Sequence, residues 1–186
     1  MKPSFQVEKK NAILVMIDLQ GALVKAMASE IVTRVIRNSQ ILIAFAREMG
    51  IPILVTEQYP KGLGETIPEM KKDLEGIAPI EKMSFSCCQM DSFKGQLENS
   101  GRKEVILCGI EAHVCVLQTA AELLQQGYGV HVVADAVCSR RKLDWETGLR
   151  WMEKKGAMIL TTEIIAFQLL KEAGTDEFKR LSKLLR

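Results

Sequence analysis

The chain predicts an α/β fold, a parallel β-sheet with helices on both faces. Two observations carry this. Short, nearly continuous apolar runs, such as Ala12 to Ile17 and Val130 to Ala134, read as strands buried on both sides. Between such runs lie longer segments whose apolar residues return at helical spacing. Strand and helix then alternate along the chain, the pattern of a parallel sheet covered by helices.

Taken in order, Ala12 to Ile17 (AILVMI) is the first strand, ending on Asp18. Ile31, Val35, Ile36, Ile41, Leu42 and Phe45 mark a helix with Ser29 as its N-cap and Gly50 as its stop. Ile51 to Thr56 is the second strand. Glu57 to Lys72, with Pro60, Gly62, Gly64 and Pro68, reads as a long loop, a kind of segment that tends to carry function. Ala78 to Lys82 is a short strand, and Asp91 to Asn99 a short helix capped by Asp91 and stopped near Gly101. Val105 to Cys108 is a strand, followed by a helical run from Val114 to Gln126 that Gly127 breaks. Val130 to Ala134 is the next strand, ending at Asp135; Leu143 to Lys155 is a helix stopped by Gly156. Met158 to Leu160 is the last strand, and Glu163 to Leu185 holds one or two closing helices.

At 186 residues, with no repeat, low-complexity tract or linker, the chain reads as a single domain spanning 1–186. Its apolar share of 47% and charged share of 26% are those of an ordinary globular protein. Net charge is +2, with lysines and arginines interspersed among acids and few aromatics, so a nucleic-acid partner has no electrostatic footprint. The N-terminal stretch Met1 to Lys10 is polar, and the apolar run to Leu19 carries Asp18 and is too short for a membrane span or a signal peptide. A cytoplasmic protein with no membrane partner is expected. The five cysteines form no Cys-x-x-Cys pair and read as thiols of a reducing compartment. Two histidines, His113 and His131, argue against a multi-histidine metal site, and no cofactor is called for.

Three reactive side chains stand at predicted strand ends, where open α/β sheets bind ligands. Asp18 follows the first strand, Lys82 the third, and Cys115 the fourth. Cys115 falls in the first turn of its helix, where free backbone N–H groups and the helix dipole favour a thiolate. Alone, it reads equally well as a nucleophile or as a buried, inert thiol. If the first and fourth strands are neighbours, all three groups converge. A carboxylate can then accept the thiol proton while an ammonium holds the carboxylate. Lys82 alone reads as solvated or structural, whereas Asp18 at an apolar strand end needs a partner or a task.

The segments Ile13 to Gln20, Lys82-Met83-Ser84-Phe85-Ser86 and Gly109 to Ala120 resemble, in order, three signatures of the isochorismatase-like cysteine hydrolases. Within that superfamily the chain is similar to small isochorismatase-domain proteins with a Thr-Glu-Gln-Tyr-Pro segment, here Thr56 to Pro60. The resemblance implies a three-layer α/β/α fold whose six-stranded parallel sheet runs in the order 3-2-1-4-5-6. It implies a catalytic triad of Asp18, Lys82 and Cys115. It also implies a cis peptide between Ile110 and Glu111 that aims the Glu111 N–H, with that of Cys115, at a developing oxyanion. Two departures from relatives narrow the activity. Nicotinamidases of the superfamily place metal-binding histidines after the second strand, where this chain has Glu57-Gln58-Tyr59. True isochorismatases cleave a vinyl ether without needing the cysteine, so its presence points to acyl chemistry at a C–N bond.

The function expected is therefore a cysteine-dependent hydrolase of a small amide, acting through a thioester, with a small molecule as substrate. Gln58, Tyr59 and His113 are candidate substrate contacts; Cys87 and Cys88 read as packing residues. An idle binding module that keeps the pocket is the alternative. A thiol redox sensor ranks below both, because no resolving partner lies near Cys115 in sequence. A homo-oligomer, dimer or larger, is expected by analogy, with the helix from Leu143 and the run Ile164 to Leu170 as candidate interface.

Overall fold

The computed structural model describes residues 6–186, so the first half of the polar stretch Met1 to Lys10 lies outside the described residues. Six strands form one sheet: β1 (Ala12–Ile17), β2 (Ile53–Gln58), β3 (Ile80–Lys82), β4 (Glu104–Ile110), β5 (Gly129–Cys138) and β6 (Met158–Leu160). All neighbours pair in parallel, in the order β3-β2-β1-β4-β5-β6. The helices are α1 (Gly21–Lys25), α2 (Ser29–Glu48), α3 (Pro60–Leu63), α4 (Pro68–Lys71), α5 (Asp91–Asn99), α6 (Leu117–Gln125), α7 (Lys142–Lys154), α8 (Thr162–Leu170) and α9 (Asp176–Leu181).

The central strand explains its own sequence. Ala12, Leu14 and Met16 enter one core, shared with α2 and α8. Ile13, Val15 and Ile17 enter the other, shared with α5, α6 and α7. Both faces are covered, so no polar residue can alternate with the apolar ones. The chain builds outward from β1 to β3, then returns to β1's other side for β4. Beyond the carboxyl ends of β1 and β4 the connections therefore part, leaving a crevice.

Several expected boundaries move, for local reasons. Strand β2 starts at Ile53 and takes in Glu57 and Gln58; Pro52 before it contributes only its carbonyl, to the Leu14 N–H at 2.9 Å. The segment read as a loop holds two one-turn helices, each opened by a proline at its first position, where no N–H is needed. Ser29 and Asp91 are first helical residues, not caps; Ala28 and Met90 occupy the cap positions without a side-chain bond. Strand β5 runs on to Cys138 because an irregularity between Leu107 and Gly109 lets pairing with β4 resume at Val137. Among the described residues no helix is long and apolar enough to cross a membrane.

Candidate active site

Register brings the acid and the amine together. Ile17 lies beside Thr56, and Gln58 beside Lys82, so the ends of β1, β2 and β3 stand side by side. Asp18 leaves β1 at a φ of +52°, and its N–H donates to the Thr56 carbonyl at 3.2 Å. Lys82 Nζ donates to Asp18 Oδ2 at 2.7 Å, with both side chains fully buried. The same ammonium donates to Gln58 Oε1 at 2.7 Å and lies 3.1 Å from the Phe85 carbonyl. Burial by itself pushes this amine down, but the Asp18 carboxylate beside it outweighs that cost. The Lys82 pKa therefore sits above its ordinary value.

Glycine lets the sulfur reach them. Gly109 adopts a φ of +112°, and a Cβ there would sit 2.0 Å from the Ile17 carbonyl oxygen. Only glycine lets β4 press this closely on the end of β1. The Ile110–Glu111 peptide that follows is cis. The chain then makes one π-helical turn, Ala112–Val116, before α6, and Cys115 is buried within it. The Val114 and Val116 N–H groups both donate to the Glu111 carbonyl, at 3.1 and 3.2 Å.

One expectation is corrected here. The Cys115 group rests as a thiol: burial, then the Asp18 charge, push its pKa up to about 12, and Lys82 opposes them without prevailing. Loss of hydration is the largest cause, and the turn that holds Cys115 is π-helical rather than the start of a regular α-helix. The Asp18 carboxylate is close enough to disfavour the thiolate by its charge.

The other candidates divide. Gln58 joins the cluster through Lys82, and its Nε2 donates to the Met83 carbonyl at 2.8 Å. Tyr59 stands half-exposed at the rim with Met83 and Phe85, and its ring covers Gly62. A cleft of about 410 Å³ opens between Tyr59, Lys61, Met83 and Met90. His113 Nδ1 lies 2.9 Å from Ser139 Oγ, so its ring is engaged there. The Glu111 carboxylate accepts from Arg140 Nε at 2.9 Å and turns away from the reactive groups. Among the described residues no group of histidine, cysteine and carboxylate side chains is placed to hold a metal.

Sequence reading missed three residues. Thr56 donates its hydroxyl to Asp18 Oδ1 at 2.7 Å. Cys87, read as packing, is wholly buried against Thr56 and Thr119, and burial pushes its pKa up to about 11, so it stands as a neutral thiol. Gln20 ties two strand ends together, donating to the Gln58 carbonyl at 2.9 Å and accepting from its N–H at 2.7 Å. Its position two residues after Asp18 was the available signal.

Residues 12–164 match the Isochorismatase domain family. Isochorismatase domain-containing protein 2 of Danio rerio is 39% identical over 181 residues, 97% of this chain and 89% of that one. The structure of a MAR1 ribonuclease from Caenorhabditis elegans superposes with a TM-score of 0.90 at 39% identity, over 97% of this chain and 92% of that one. An octameric hydrolase of unknown specificity from Escherichia coli has the same fold, with a TM-score of 0.90 at 22% identity over 100% of this chain and 91% of that one. The chain belongs to the isochorismatase family of hydrolases.

Proposed function

We propose that this isochorismatase-family chain, acting as one domain, hydrolyses the C–N bond of a small amide through a thioester on Cys115. The observation that supports this most is the meeting of a buried carboxylate, ammonium and thiol at three strand ends. Because the resting sulfur is protonated, attack requires a base. Asp18 takes the Cys115 proton as sulfur bonds to the amide carbon. The backbone N–H groups of Glu111 and Cys115 receive the charge that develops on oxygen. The C–N bond then breaks, and Asp18 returns the proton to the departing amine. Water, deprotonated by Asp18, adds to the thioester; the acid leaves and sulfur regains its proton. Lys82 balances the Asp18 charge and fixes its position throughout.

No metal or cofactor enters this scheme. Gln58 orients Lys82, and Tyr59 and His113 are placed here as contacts at the substrate's edges. RNA, the substrate class named for the nematode relative, fits this site poorly. The Lys82 ammonium is already ringed by acceptors, and a net charge of +2 offers little to a phosphate backbone. We also place a homo-oligomer interface on α7 and α8, where Leu143, Trp151, Ile164 and Phe167 stay exposed.

A panel of small amides, ureides and carbamoyl compounds, scored by ammonia release, tests the reading. The expected result is turnover by the wild type, and loss of at least about 10³-fold in a folded Cys115→Ala protein. Continued turnover by that variant rules out covalent catalysis, and wild-type failure across the panel favours an idle binding module.

A further inference from the structure

We propose that Thr56 is a positioning residue for Asp18, holding one carboxylate oxygen so that the proton exchanged with Cys115 is delivered from a fixed point. This rests on the amide-hydrolase reading for its catalytic consequence, though not for its geometry.

Asp18 is gripped at three places by two residues of neighbouring strands. Its N–H donates to the Thr56 carbonyl at 3.2 Å, its Oδ1 accepts the Thr56 hydroxyl at 2.7 Å, and its Oδ2 accepts Lys82 at 2.7 Å. Thr56 and Asp18 are both completely buried, so no water is available to replace the hydroxyl. The direction of that hydroxyl is set as well. The Cys87 sulfur stands 3.9 Å from Thr56 Oγ1 as the donor, which leaves the threonine proton for Asp18. Cys87 is itself fixed: its backbone N–H donates to Thr119 Oγ1 at 3.0 Å. Thr119 lies four residues after Cys115 on the same helical run. The chain Thr119, Cys87, Thr56, Asp18 thus ties the helix bearing the nucleophile to the base on β1, behind the reacting atoms.

Substituting valine keeps the shape of threonine and removes the donor, leaving Oδ1 buried with one partner fewer. A buried carboxylate oxygen that loses its donor is held at one point fewer, and leaving it unpaired is costly. Serine restores the donor.

The test has two arms, both on the full chain. In the first, the Asp18 carboxyl carbon of ¹³C-labelled aspartate is observed by NMR at one fixed pH, with Asp18→Asn identifying the signal. That signal is expected to move in Thr56→Val and to return to its wild-type position in Thr56→Ser. In the second, the amide that gives most ammonia in the screen above is used to compare kcat and KM. Thr56→Val should lower kcat about tenfold with KM little changed, and Thr56→Ser should recover most of it. A folded Thr56→Val protein with an unmoved signal overturns the proposal, whatever its activity. A moved signal with unchanged kcat also overturns it, by reducing Thr56 to a structural partner. If no amide is turned over, the amide-hydrolase reading fails, and the delivery role for Thr56 falls with it. The signal then reports only the hydrogen bond.

Discussion

The sheet carries a buried acid–base pair at each end, and only one end has the makings of a reactive centre. At the carboxyl end, Asp18 and Lys82 meet at 2.7 Å. At the amino end, Glu104 and His131 also meet at 2.7 Å, and both are buried. What differs is the company. The Asp18 pair has a thiol on one side, a second hydroxyl-bound oxygen, and an amide and carbonyls ringing the ammonium. The Glu104 pair faces β-strand backbone. A Cβ on Gly129 would lie 2.0 Å from Glu104 Oε2, and His131 Nδ1 has no partner. Burial of an acid against a base is thus not a signature of chemistry; a thiol beside the pair and a cleft opening next to it are what set the carboxyl end apart.

Substitutions sharpen that contrast. Cys115→Ala should give the largest effect, abolishing turnover while the melting temperature changes little. Next, Lys82→Met strands the Asp18 carboxylate in the interior, an expected loss of about 3–5 kcal/mol by urea denaturation as well as of turnover. His131→Gln, which keeps a donor facing Glu104, should cost about 1 kcal/mol and leave turnover within about twofold of wild type. A matching loss of activity in His131→Gln would break the distinction between the two ends. Gly129→Ala should cost about 1–3 kcal/mol from overpacking against Glu104, again with normal kcat.

A gentler effect comes from pH. Burial, above all, holds Cys108, Cys115, Cys88 and Cys138 up at about 12 and Cys87 at about 11. An unfolded chain releases these protons near pH 8.5, whereas the folded chain keeps them. Between roughly pH 8.5 and 11 the unfolded state therefore binds fewer protons, and stability falls as pH rises. Lys82, raised in the folded state, adds a loss in the same direction once pH passes the ordinary lysine range near 10.4. Melting temperatures measured from pH 7 to 10 should decline, and replacing Cys108 by alanine should flatten the slope by about one proton.

Much of this was legible in the residues. Strand β1 lies where its apolar run says, because a strand buried on both faces leaves no polar position to blur its ends; β6 keeps its expected bounds too, although it is a half-buried edge strand. Asp18 stood out because an acid directly after an apolar run is costly without a partner or a task, Cys115 because it opens a helical run, and Lys82 only through its convergence with them. Boundaries were weaker where a proline or a bulge altered pairing, as at Pro52 and in the second half of β5.

Tertiary structure alone decided three matters. It made Cys115 a resting thiol, since desolvation depends on what packs around the sulfur and not on its place in a helix. It turned Glu111's side chain to Arg140 and His113 to Ser139, partners 29 and 26 residues away. It also recruited Thr56 and Cys87, whose roles rest on a parallel register and on a contact across 31 residues. Side-chain types and their order are local facts of a polymer, so periodicity and punctuation can be read from them. Which hydroxyl meets which carboxylate is set by strand order and register, and those emerge only when both faces of the sheet are packed.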